Sequence, residues 1–125
     1  VLCLGGFMDI LILKPKWSNK VFKNNKTWEI RGTSTSKRGR IAIGISGTSC
    51  VQGTVKLVDC VLLTKELWMQ NMDKHQVGIS WEDLLRIYPR PHAWVFEDAV
   101  ELENKVHYHH KPGAVIWVKD NNISL

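Results

Sequence analysis

The sequence predicts an α+β domain, a small and strongly bent sheet of about five or six strands with two or three short helices closing its ends. Three observations lead there. The chain has 125 residues, 44% apolar and 23% charged, which is the composition of one globular domain. Its elements read in the order β-α-β-β-β-α-α-β-(β)-β, with no internal repeat and no low-complexity linker. Neither βαβαβ alternation nor a GxGxxG is present, which disfavours a doubly wound dinucleotide fold and leaves a bent mixed or antiparallel sheet forming a partly open barrel.

Asp9 to Lys14 opens the chain as a short strand. Ile10 to Leu13 is apolar on both faces, so this strand is expected to be central and buried. Pro15 ends it and suits the first turn of a helix, in which Trp17, Val21 and Phe22 form the apolar side and Lys16, Lys20 and Lys23 the other. Asn24-Asn25 is a turn, because Asn tolerates positive φ. Lys26 to Arg31 is a second strand, with Trp28 and Ile30 on one face and Thr27, Glu29 and Arg31 on the other, an exposed face or the floor of a cleft.

Gly32 to Gly39 is a polar loop suited to phosphate contacts. Arg40 to Ile45 is the third strand, and Ser46-Gly47-Thr48-Ser49 a polar turn whose hydroxyls and backbone donors suit a phosphate or a base edge. No GxxxxGK[ST] occurs, so it is not a nucleotide P-loop. Gly53 to Leu63 is a long strand with Val55, Leu57 and Asp59 on one face. Lys65 to Asp73 is a helix, and a second begins at Ser80, an N-cap with Asp83 at the capping-box position, and stops at Pro89 and Pro91. His92 to Leu102 is a long strand, Val106 to His110 a short local one, Lys111-Pro112-Gly113 a turn, and Ala114 to Lys119 the last strand.

Charge is distributed unevenly. Up to Arg40 there are nine basic residues against Asp9 and Glu29, a net +7, whereas the remainder of the chain carries −2. A one-sided basic field suits a polyanion, most simply nucleic acid. Three cysteines, Cys3, Cys50 and Cys60, without a CxxC argue against a disulfide framework or a cysteine zinc site; buried free thiols in a reducing, cytoplasmic compartment are expected. No apolar run approaches the roughly 20 residues of a membrane span, and Val1 to Phe7 lack a charged leader, so Met8 is the expected start of a single domain over residues 8–120, with 1–7 a non-native extension. No membrane partner and no cofactor are expected, and the monomer is favoured. His107 and His109 share a strand face at a metal-compatible spacing, but no carboxylate or cysteine partner is evident, so no metal site is assigned. Six tryptophans are mostly core; Trp17 and Trp94, beside His92, are the candidates for stacking on bases.

Together these segments resemble the ASCH family, whose fold is the PUA-like β-barrel and whose relatives include the YTH and EVE domains. Its signature GxKxxExR reads here Asn24-Asn25-Lys26-Thr27-Trp28-Glu29-Ile30-Arg31, with Asn24 in place of the leading Gly. Leu13-Lys14-Pro15-Lys16-Trp17 resembles the family's strand-to-helix passage, and Arg38-Gly39-Arg40-Ile41 with Ser46-Gly47-Thr48 resembles the following strand and loop. Gly53-Thr54-Val55, Val58-Asp59-Cys60, His92-Ala93-Trp94-Val95 and Pro112-Gly113-Ala114-Val115-Ile116-Trp117 continue the likeness to about Lys119.

The resemblance implies binding of RNA or single-stranded nucleic acid in a basic cleft, with endoribonuclease activity in some members and N4-acetylcytidine hydrolysis in one small group. Phosphates are expected to meet Lys14, Lys16, Lys20, Lys37, Arg38, Arg40 and the Ser46-Gly47-Thr48 turn, and the base or reacting group to meet Lys26, Glu29 and Arg31. His92 is a candidate general acid or base. In the acetylcytidine hydrolases a Thr stands three residues after the Lys; here that position is Glu29, which favours the ribonuclease over the amidohydrolase reading.

Overall fold

The computed structural model describes residues 8–107 and 115–117. Along the chain come β1 (Asp9–Leu13), α1 (Pro15–Lys23), β2 (Trp28–Arg31), β3 (Gly39–Ile45), β4 (Cys50–Leu62), α2 (Lys65–Gln70), α3 (Met72–His75), α4 (Trp81–Ile87), β5 (His92–His107) and β6 (Val115–Trp117). The strands form one mixed sheet in the order β2-β5-β4-β3-β1-β6. β1 runs parallel to β3 and to β6, and the other pairings are antiparallel.

The sheet curls upon itself. β2 and β1 are not neighbours in the strand order, yet Arg31 Nη2 donates to the Ile12 carbonyl at 3.1 Å. A side chain thus bridges the two strands where the ladder leaves off, and the result is an α+β, PUA-like, partly open barrel. Period-2 alternation sorts the side chains of β2 and β5 into two cores. Trp94 and Phe96 join Leu11, Trp17, Ile43 and Val55 inside the barrel. Trp28, Ile30 and Ala93 lie on the opposite face with Trp68, Leu84 and Tyr88, beneath the helices.

Several boundaries differ from expectation for local reasons. Among the described residues four short helices form rather than two or three: Lys65 to Asp73 breaks at Asn71, whose side chain donates to the Leu67 carbonyl at 2.8 Å, and α3 follows separately. The fifth strand runs unbroken to His107, because β4 begins at Cys50 and supplies a partner that far, Cys50 opposite His107. A register shift between Leu57 and Asp59 takes Asp59 out of the alternation, and it is exposed while Val55 and Leu57 are buried. The positive φ of the Asn24-Asn25 turn falls on Asn25, at 57°. Cys50 and Cys60 are free but only partly buried. The expectations for Val1 to Phe7, Cys3, His109, His110, the Lys111-Pro112-Gly113 turn and the ends of the last strand lie outside the described residues. Among the described residues no helix is long and apolar enough to cross a membrane.

Candidate functional site

The segment between α1 and β2 explains how a lysine comes to be inside. The amides of Asn24 and Lys26 both donate to the Lys20 carbonyl at 3.0 Å, and Asn25 takes a left-handed conformation, so the chain doubles back at the helix end. Lys26 is thereby turned inward and is 2% exposed. Its ammonium donates to the Trp28 carbonyl at 2.7 Å and to the His75 carbonyl, and it lies 4.9 Å from the centroid of Trp17. Burial pulls its pKa down to about 8, against the opposing field of Glu29 and with a smaller lowering by Lys20. His75 is itself buried, stacked on Trp68 at 3.6 Å between centroids. Its Nδ1 accepts from the Val77 amide at 3.2 Å, which leaves Nε2 to donate to the Trp68 carbonyl at 2.9 Å. The ring is neutral in this arrangement, and burial lowers its pKa.

Glu29 and Arg31 stand on the barrel face of β2 and are 5% exposed each, so this is not an exposed face. Arg31 Nε lies 3.2 Å from Glu29 Oε2, and the guanidinium sits 5.8 Å from the Trp94 centroid. In the β2–β5 ladder Glu29 opposes Trp94 and Arg31 opposes His92, so these four side chains share one wall. Trp94 is 1% exposed and its Nε1 donates to the Thr33 carbonyl at 2.9 Å, which ties the following loop to the barrel. Glu29, Arg31, His92 and Trp94 are therefore brought together, and the Lys26 ammonium lies within the field of Glu29.

The rim of basic residues is divided. Lys14 and Lys16 are exposed and Lys20 half-buried, and Trp17 is 6% exposed beneath them. The Lys16 and Lys20 ammonium groups lie 4.5 and 5.4 Å from its centroid. The exposed Ser46-Gly47-Thr48 turn abuts this stretch, because the Ser46 amide donates to the Leu13 carbonyl at 2.7 Å. Lys37, Arg38 and Arg40 each hold a carboxylate elsewhere. Lys37 pairs with Asp9, Arg38 lies 3.9 Å from Asp59, and Arg40 pairs with Asp98 while also donating to its backbone carbonyl at 2.7 Å.

Sequence reasoning missed two features. One is the carbonyl cage around Lys26, since a backbone carbonyl carries no residue signature. The other is a groove of about 750 Å³ beyond the end of α1, lined by Lys20, Asn24, Thr27, Lys74 and Gln76 among others. Asn24 Nδ2 donates to Gln76 Oε1 at 2.8 Å, and Gln76 Nε2 donates to the Asn24 backbone carbonyl at 2.7 Å, which clamps its walls. Cys50 Sγ lies 3.6 Å from His107 Nε2, supplying the cysteine neighbour that His107 lacked in the sequence, but among the described residues no group of three or more His, Cys, Asp or Glu could hold a metal ion.

No protein-family model and no curated protein matches the sequence. Solved structures do match in shape. An ASCH protein from Zymomonas mobilis superposes with a TM-score of 0.64 at 16% identity, over 90% of this chain and 88% of that one. A serine-to-alanine variant of that protein gives 0.64 at 17% identity, over 91% and 90% of the two chains. A tyrosine-to-phenylalanine variant gives 0.63 at 16% identity, over 90% and 91%. Likeness at this level of identity is likeness of fold, and the fold of this chain is that of the ASCH domains.

Proposed function

We propose that this domain binds RNA or single-stranded nucleic acid along the β1–α1 stretch, with the Lys26-Glu29-Arg31 wall receiving a base or the reacting group. One observation carries the reading. Among the described residues Lys14, Lys16 and Lys20 make no ion pair with a carboxylate, and they run together above Trp17 and beside the Ser46-Gly47-Thr48 turn. Unneutralised ammonium groups spaced along one edge suit successive phosphates. Lys37, Arg38 and Arg40 form the outer part of the interface and contribute less, because a phosphate there competes with a carboxylate already in place. Cleavage of the bound strand would fall to the groups on the barrel wall, with His92 as the acid or base.

The test is binding of labelled single-stranded RNA at low salt, alongside gel analysis of the same RNA after incubation. Affinity is expected to drop about tenfold in a Lys14→Ala/Lys16→Ala double variant. Absence of binding by the unaltered protein at low salt overturns the proposal. Cleavage that survives Lys26→Ala, Glu29→Ala and Arg31→Ala separately removes the nuclease part of it.

A second reading, hydrolysis of a modified nucleoside such as N4-acetylcytidine, is favoured by the lowered pKa of Lys26, which gives the amine a neutral fraction near neutral pH. Against it stand the two carbonyls that already occupy the ammonium. Chromatographic detection of cytidine from N4-acetylcytidine decides this reading directly.

A further inference from the structure

Among the described residues two buried side-chain nitrogens have no hydrogen-bond partner, Arg31 Nε and His92 Nδ1. They belong to residues directly opposed in the β2–β5 ladder, whose side chains stand on the same face of the sheet. That face is the one carrying Glu29 and Trp94. Arg31 has a side-chain exposure of 7%, so water does not bathe its unmet donor. A buried donor without an acceptor is costly and calls for a partner. Glu29 Oε2 is 3.2 Å away, close enough for an ion pair, yet the Nε–H is not directed at it.

The chemistry of the missing partner follows from the three groups. A guanidinium N–H only donates, so the partner is an acceptor, and His92, opposite Arg31 in the ladder, offers it a second donor in the tautomer that carries the proton on Nδ1. The Glu29 carboxylate beside it repels an anionic oxygen, which disfavours phosphate at this point and favours a neutral carbonyl. The carboxylate is also an acceptor, and it asks for an N–H next to that carbonyl. We infer that Arg31, His92 and Glu29 read the edge of a nucleobase that presents a carbonyl beside an N–H, which is guanine or uracil. Adenine has no carbonyl, and the carbonyl of cytosine is flanked by ring nitrogens without hydrogen. The inference rests on the nucleic-acid reading above and assigns that site its base.

The test measures fluorescence anisotropy of labelled RNA decamers at one low salt concentration: oligo-U, oligo-C, oligo-A and alternating A-G. Oligo-U and alternating A-G are expected to bind about tenfold tighter than oligo-C and oligo-A. In His92→Phe, a change at a half-exposed position, the ratio of oligo-U to oligo-C affinity is expected to fall to about one, and Glu29→Gln should lower it in the same direction. Equal affinity for all four decamers, or preference for oligo-A or oligo-C, overturns the inference while leaving nucleic-acid binding intact. A preference that survives His92→Phe overturns the assignment to His92. Absence of binding to every decamer overturns the nucleic-acid reading itself and this inference with it.

Discussion

The Lys26 ammonium exchanges its hydration for the carbonyls of Trp28 and His75 and for the face of Trp17. That exchange is incomplete, since burial lowers its pKa from 10.5 to about 8. The consequence for stability has a definite sign. Between those values the unfolded chain holds the proton and the folded one releases it, so stability rises as pH increases through this window. The full gain, about 3 kcal/mol, is present above the unfolded pKa and is lost as pH falls through the folded one. Urea unfolding at pH 7 and at pH 10 is expected to show this rise, and Lys26→Met to abolish it; equal pH slopes in the two proteins would rule out Lys26 as its source. The sequence shows Lys26, Glu29 and Arg31 as a set, because a period of two puts the last two on one face. It does not show that Lys26 is interior, because the His75 carbonyl that holds it lies 49 residues away.

At the scale of elements, α1 is held against the sheet by the irregular part of β4. The register shifts between Val51 and Gly53, and Gln52 between them is buried. Its Oε1 accepts from Ser18, and its Nε2 donates to Asn19 Oδ1 at 3.0 Å and to Glu101 Oε2 at 3.2 Å. Gly53 makes this approach feasible. A Cβ there would stand 2.3 Å from the Val100 carbonyl oxygen and 2.6 Å from the Phe22 ring. Gly53→Ala is therefore expected to cost about 1–3 kcal/mol, read as a lower urea midpoint, by pushing α1 off β4. An unchanged midpoint would mean that the contact relaxes without loss. Ser80 offers a contrast that the sequence did reveal. Its hydroxyl accepts from the Asp83 amide at 3.0 Å, as a Ser before an apolar helical run foretells, and Ser80→Ala is expected to cost about 1 kcal/mol in the same assay. Caps are local and legible; a bulge depends on which strand lies opposite, so the sequence alone places the start of β4 at Gly53 rather than Cys50.

For the whole molecule, the basic first forty residues are a linear feature that folding largely cancels in space. Of the nine cations, Lys23, Arg31, Lys37, Arg38 and Arg40 meet Glu101, Glu29, Asp9, Asp59 and Asp98, and Lys26 is buried. Three of those acids come from beyond residue 40, where the chain carries its excess of negative charge, so the asymmetry of the sequence is also what assembles the ion pairs. What remains for a polyanion is Lys14, Lys16 and Lys20. Each phosphate neutralised on a single strand contributes a slope of about −0.7 in a plot of log affinity against log salt, so three contacts predict a slope near about −2. Engagement of all nine cations would give about −6 on the same rule. A measured slope near −2 that Lys16→Ala makes shallower by about 0.7, with Lys37→Ala changing it less, would locate the backbone of the strand on α1. A slope several times steeper would mean that the carboxylates release Lys37, Arg38 and Arg40 to the ligand, and that the interface extends around the barrel onto β3.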